Sequence, residues 1–164
     1  MSAIMENPRH RFMRRAIELA RAGAAAGHGG PFGCVIVKDG AIIGEGHNQV
    51  LHAADPTAHG EIVAIRAAAR ALGTHDLSGC EVYNISVPCP MCMAAMYWAR
   101  VARVHYCCKP ADAQAIGFDN LEIDRQLAKP LHERSLEAVE MPELYPEARG
   151  AYDEWAKAKG KRLY

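Results

Sequence analysis

Residues 55–73 read DPTAHGEIVAIRAAARALG, and residues 80–92 read CEVYNISVPCPMC. The first stretch carries helix signals: Asp55 as an N-cap, Pro56 in the first turn, an Ala- and Ile-rich body, and Gly73 as a stop. The second begins as a strand over 80–87. Pro88-Cys89-Pro90 interrupts it and opens a second helix, MCMAAMYWAR, after which 101–108 reads as a strand again. Helices alternating with strands imply an α/β sandwich with helices on both faces of the sheet.

The flanks fit that plan. Residues 9–26 place Phe12, Ile17, Leu19 and Ala20 on an approximate helical stripe, ended by Gly27-His28-Gly29-Gly30. Residues 32–37 and 41–46 are strand-like and are joined by Lys38-Asp39-Gly40, whose Asp-Gly is a hairpin signal. Toward the C-terminus, 112–116 and 121–128 read as short helices, 136–139 is a candidate fifth strand, and 142–159 reads as a helical tail. The length of 164 residues is that of a single domain, 1–164, large enough for one core.

Nineteen basic and 19 acidic residues give zero net charge. A protein that grips a polyanion usually shows a basic excess, so the balance favours a small neutral substrate over nucleic acid. Lys157, Lys159, Lys161 and Arg162 read as a solvated helix end, where cations are favoured. Residues 1–15 lack the apolar core of a signal peptide, and MCMAAMYWA is too short to span a bilayer, so a cytosolic location without membrane contact is expected. Six cysteines in a reducing compartment do not read as a disulfide framework. Cys34, Cys80, Cys107 and Cys108 are expected as buried small apolar residues. Trp98 is expected to pack.

The chemistry concentrates in His59-Gly60-Glu61 and Pro88-Cys89-Pro90-Met91-Cys92, each at the start of a helix. Alone, C-x-x-C reads as metal binding or redox chemistry. With H-x-E upstream and a strand between, the pair matches the signature H-x-E…P-C-x-x-C of zinc deaminases. Two thiolates and one imidazole suit tetrahedral zinc. Helix N-termini favour the thiolate form. Three ligands, His59, Cys89 and Cys92, leave a fourth position for water. His28, His47, His52 and His75 lack the spacing to fill it. Zinc can lower the pKa of bound water from about 15.7 to about 7, worth roughly 12 kcal/mol at about 1.36 kcal/mol per unit. Glu61, beside the metal but not a ligand, is the expected proton carrier.

At this point the chain resembles the cytidine-deaminase-like superfamily, and within it the short bacterial guanine deaminases. The residues that carry the likeness are GGPFGCVIVKDGAIIGEGHN, DPTAHGEIVAIR, PCPMCMAAMYWAR, AIGFDN, KPLHER and the final Tyr164. AIGFDN and Tyr164 favour the guanine branch. The resemblance implies a three-layer α/β/α sandwich with a central five-stranded mixed sheet, a Zn2+ cofactor, and hydrolysis of guanine to xanthine and ammonia. It also implies a homodimer whose C-terminal segments are exchanged, so that Tyr164 closes the neighbour's site. By the same likeness Asn48 binds substrate, Phe32 forms part of the pocket wall, and Asp119 and Asn120 lie at the substrate. A turn role for Asn48 and a core role for Phe32 are the ordinary alternatives.

Two positions depart from the family pattern. Val87 stands where Glu usually precedes Pro-Cys, and Asn120 stands where the guanine branch usually has a second Asp. Each change removes a carboxylate. A carboxylate only accepts hydrogen bonds whereas an amide also donates, so another amino-purine, a pteridine or a triazine is an alternative substrate. Guanosine, cytosine and tRNA adenosine are more distant alternatives.

Overall fold

In the computed structural model the described residues are 7–164; residues 1–6 of the N-terminal stretch read above lie outside them. The first helix, α1 (Pro8–Ala25), starts where Pro8 cannot donate and where the Asn7 side chain accepts from Arg9 N at 3.0 Å. A hairpin follows, β1 (Gly33–Lys38) and β2 (Ala41–His47). Then come a short helix α2 (Val50–Ala53), α3 (Gly60–Leu72), β3 (Glu81–Ser86), α4 (Pro90–Trp98), β4 (Arg103–Cys108) and α5 (Pro110–Ala115).

The chain divides into two compact units, Met1–Leu121 and Glu122–Tyr164. The sheet belongs to the first. Its order is β2-β1-β3-β4, with β1 antiparallel to both neighbours and β3 parallel to β4. The central strand β1 is buried on both faces. Val35 and Val37 meet Phe12 of α1 and Tyr83 on one side. Cys34 and Ile36 meet Ala64 and Ala68 of α3 and Met96 of α4 on the other. The unit is thus helix, sheet and helices in three layers, as the alternation predicts.

The seam between β2 and α3 is close because it is built from small residues. A Cβ on Gly44 would stand 2.5 Å from the Ala64 carbonyl oxygen, and one on Gly46 would stand 2.2 Å from the Gly60 carbonyl oxygen. The start of α3, with its two functional residues, is therefore pressed directly on the end of β2.

Several expectations are corrected. The sheet has four strands among the described residues, not five. Residues 136–139 form no strand, and Leu136 and Val139 are 83% and 74% exposed. Nearby, Ser135 N donates to the Gln126 side chain, not to a ladder partner. Asp55 does not cap the long helix. Its carboxylate accepts from the Thr57 backbone N at 2.8 Å and the hydroxyl at 2.7 Å, closing a turn, and α3 begins five residues later with His59 as its N-cap. Cys34 and Cys80 are buried, but Cys107 is exposed on the edge strand β4 and Cys108 is half-buried. Trp98, at the end of α4, is 67% exposed and lies outside the buried core.

The helix α6 (Asn120–Ala128) begins at the end of the first unit, and its residues from Glu122 onward open the second. The second unit also holds single 3-10 turns at Leu131–Glu133 and Pro142–Leu144 and the tail helix α7 (Tyr145–Lys157). None of these elements contributes a buried residue, although Leu144, Tyr145, Tyr152 and Trp155 are large and apolar.

Candidate metal centre and active site

Two helix N-termini converge. His59 is the N-cap of α3 and Cys89 the N-cap of α4, with Cys92 one turn further on. Both caps have extended backbones, with ψ of 154° and 166°, which turns each side chain toward the other helix. His59 Nδ1 lies 3.6 Å from Cys89 Sγ and 3.6 Å from Cys92 Sγ. These are the three residues whose ligand atoms gather within 4.8 Å of one another among the described residues. Tetrahedral zinc with Zn–S of about 2.3 Å and Zn–N of about 2.05 Å places N and S about 3.6 Å apart. The donor set fits the metal in both type and spacing.

The electrostatics follow from the geometry. The hydrogen bond from the Cys92 thiol, aided by His59, holds Cys89 down at about 4. The same bond and burial push Cys92 up. Without metal the pair therefore carries one proton. Coordination removes it, since a coordinating thiol is deprotonated outright. The bond to Cys89 raises the His59 pKa.

Glu61 sits in the first turn of α3 and is buried. Burial raises its carboxyl pKa. Asn84 Nδ2 donates to its Oε1 at 2.9 Å. His59, Glu61 and Cys89 line a cavity of about 370 Å3, a size suited to a small heterocycle. Phe32 and Phe118 line its wall and meet edge to face, with centroids 4.9 Å apart. Asn48 also lines it while its Oδ1 accepts from Val50 N at 3.1 Å, so both readings of that residue hold geometrically. Val87 and Asn120, the two departures, line the same cavity.

Two expected site residues are not among those lining the cavity in the single chain. Asp119 is exposed and is not among the lining residues. Tyr164 belongs to the second unit and is 73% exposed in the single chain. Sequence reading missed Asn84, whose signal was available: an amide amid the apolar residues of a buried strand. It also missed Gly29, Gly30 and Leu51, which line the cavity from loop and short helix.

This fold and this site define a zinc-dependent hydrolytic deaminase. The chain belongs to the family of the cytidine and deoxycytidylate deaminase zinc-binding region, whose model matches residues 6–108. It is 44% identical to a guanine deaminase of Bacillus subtilis over 93% of this chain and 97% of that protein. The crystal structure of the Bacillus subtilis guanine deaminase superposes with a TM-score of 0.87, covering 94% of this chain and 98% of that one at 43% identity. A guanine deaminase from Nitrosomonas europaea superposes with a TM-score of 0.64 at 34% identity, over 73% of this chain and 66% of that one. A tRNA-specific adenosine deaminase of Aquifex aeolicus is 47% identical over 45% of this chain and 49% of its own length. No helix among the described residues is long and apolar enough to cross a membrane.

Proposed function

We propose that the chain hydrolyses guanine to xanthine and ammonia. The observation that carries this reading is the likeness to a guanine deaminase over 93% of the chain, C-terminal segment included. The likeness to the Aquifex tRNA deaminase spans 45% of it. The zero net charge also favours a free base over a polyanion.

Zinc held by His59, Cys89 and Cys92 supplies Lewis-acid activation of a water molecule. Glu61 accepts a proton from that water and delivers it to a ring nitrogen. A C–O bond forms at the ring carbon bearing the exocyclic amine. Glu61, again a carboxylate, takes the proton of the newly added hydroxyl and passes it to the amine; the C–N bond breaks, the C=O forms, and ammonia leaves. Phe32 and Phe118 hold the flat ring and exclude water. Asn48 offers a donor and an acceptor to the base edge, as does Asn120. The whole chain acts as one deaminase domain in the cytosol, as a homodimer. In that assembly the C-terminal segment crosses to the neighbour and Tyr164 closes the site there, while Asp119 contacts the substrate. The uncovered apolar residues of α7 support this, since helices are stabilised mainly by burying an apolar face.

A second reading rests on Val87 and Asn120 lining one cavity. Together they replace two acceptor-only groups by a methyl surface and an amide, which suits a different amino-purine, a pteridine or a triazine. Ammonia release from zinc-loaded protein, measured over guanine, such heterocycles, guanosine and cytosine, decides between them. Guanine is expected to lead. A faster heterocycle would replace guanine as substrate, and a gel shift with tRNA at physiological salt would reopen the nucleic-acid reading.

A further inference from the structure

Asn84 lies in the middle of β3, in register with Cys34 of β1 and Tyr106 of β4, and is 1% exposed. Its amide nitrogen makes two hydrogen bonds, to Glu61 Oε1 at 2.9 Å and to the Ser86 carbonyl oxygen at 2.7 Å. Flipping the amide would set its oxygen against a carboxylate oxygen and a carbonyl oxygen, so the partners fix its orientation. That orientation leaves Oδ1 buried without a hydrogen-bond partner.

A buried acceptor left unpaired is destabilising and uncommon. Asparagine is also a poor strand residue. A β-branched apolar side chain would satisfy the strand without either defect. The amide is therefore explained by its donor side, and both of its hydrogens go to the site. One bond holds the carboxylate of α3. The other holds the strand three residues before Cys89, so a single planar group links the two halves of the centre.

We infer that Asn84 is a positioning residue, which fixes one oxygen of Glu61 and leaves the other directed for proton transfer. This rests on Glu61 being the proton carrier proposed above. Asn84 is not among the residues lining the cavity, so it makes no substrate contact there. Its loss acts on the chemical step and not on substrate binding. Without the bond, the terminal torsion of Glu61 is free to turn, and the carboxylate is misaimed for most of the time.

Asn84→Leu removes donor and orphaned acceptor together while keeping the number and branching of the side-chain heavy atoms. Asn84→Asp keeps the shape and replaces the donor by oxygen. In both, kcat is expected to fall by at least about tenfold, since small misplacements of a catalytic group are costly. KM is expected to stay within about threefold, with zinc content at the wild-type level. Zinc-loaded crystals of either variant should show the Glu61 carboxylate rotated or in two positions. A kcat within about twofold of wild type would overturn the inference. So would a loss of zinc, or a rise in KM that accounts for the whole effect. If Asn84→Leu does not fold, Asn84→Asp decides. A wild type inactive on every aminated heterocycle would sink the functional reading. The position of Glu61 in the variant crystals would still decide the role of Asn84.

Discussion

His28 and His47 share a hydrogen bond, with Nδ1 of one 2.9 Å from Nε2 of the other. His52 of α2 stacks on His28 with ring centroids 4.3 Å apart. The His47 ring is clamped on its other side, where a Cβ on Gly23 of α1 would stand 2.4 Å from it. From β1 it faces Gly33 in register, and from α3 its backbone faces Gly60. The charged groups acting on it are thus the two other imidazoles. Burial, then His28 and His52, hold its pKa below the ordinary 6.5. Above pH 6.5 folded and unfolded chains both keep this ring neutral. Below it the unfolded chain takes the proton first, so stability falls as pH drops through the depressed folded value. Melting temperatures from pH 8 to 5.5 should fall less steeply for His47→Gln than for wild type; equal slopes would refute the clamp.

Glu61→Gln keeps the shape and the acceptor for Asn84 but cannot carry a proton. Turnover should fall by about 10²–10⁴-fold with zinc retained. In zinc-free protein the raised carboxyl pKa means stability is lost as pH rises above the ordinary 4.5. At pH 8 the zinc-free variant should therefore melt no lower than zinc-free wild type. Wild-type turnover in this variant would remove Glu61 from the mechanism.

The thiol pair gives a second pH signature. With Cys89 near 4, zinc-free protein should be alkylated there at a rate nearly flat from pH 8 down to about 5.5. Zinc should protect it, and Cys92→Ser should lose both the metal and the activity. Mass spectrometry of the labelled peptide and metal analysis are the readouts. A rate rising tenfold per pH unit would show an ordinary thiol.

Gly46→Ala places a methyl group on the backbone of α3. Overpacking should lower stability by about 1–3 kcal/mol in denaturant melts. It should also lower turnover, because the displaced turn carries His59 and Glu61. An unchanged melting curve would show that the seam can relax.

Segment exchange predicts complementation. Glu61→Gln chains mixed with chains lacking Tyr164 should regain activity after refolding together, because one site of the mixed dimer has both groups. No recovery, with mixed dimers confirmed by mass, would place Tyr164 on its own subunit's site or outside it.

The zinc-site residues were legible because their chemistry depends on spacing along the chain. His59 and Glu61 are two apart and Cys89 and Cys92 three apart, and a helix start converts each spacing into one facing cluster. The layer order was legible from alternation. What escaped depends on partners distant in sequence. Residues 136–139 have a strand's composition, but composition does not say whether a ladder partner exists. Val50–Ala53 is too short for a helical period to show. Asp55 has the chemistry of a helix cap and of a turn, and Thr57 two residues on decided for the turn. Asn84 stood out as an amide in an apolar strand, but its partner Glu61, 23 positions away, was not readable from the spacing.

The contact of β2 with α3 has a bearing on how new substrates arise in this frame. Gly44, Gly46, Gly60, Ala64 and Ala68 pack strand against helix at close range, so a larger side chain there displaces the reacting groups. Val87, Leu51 and Asn120 border the same cavity from loops and helix starts, where side chains exchange without moving that seam. A library randomised at those three positions, with the small residues held constant, is the shortest route to deaminases of other bases.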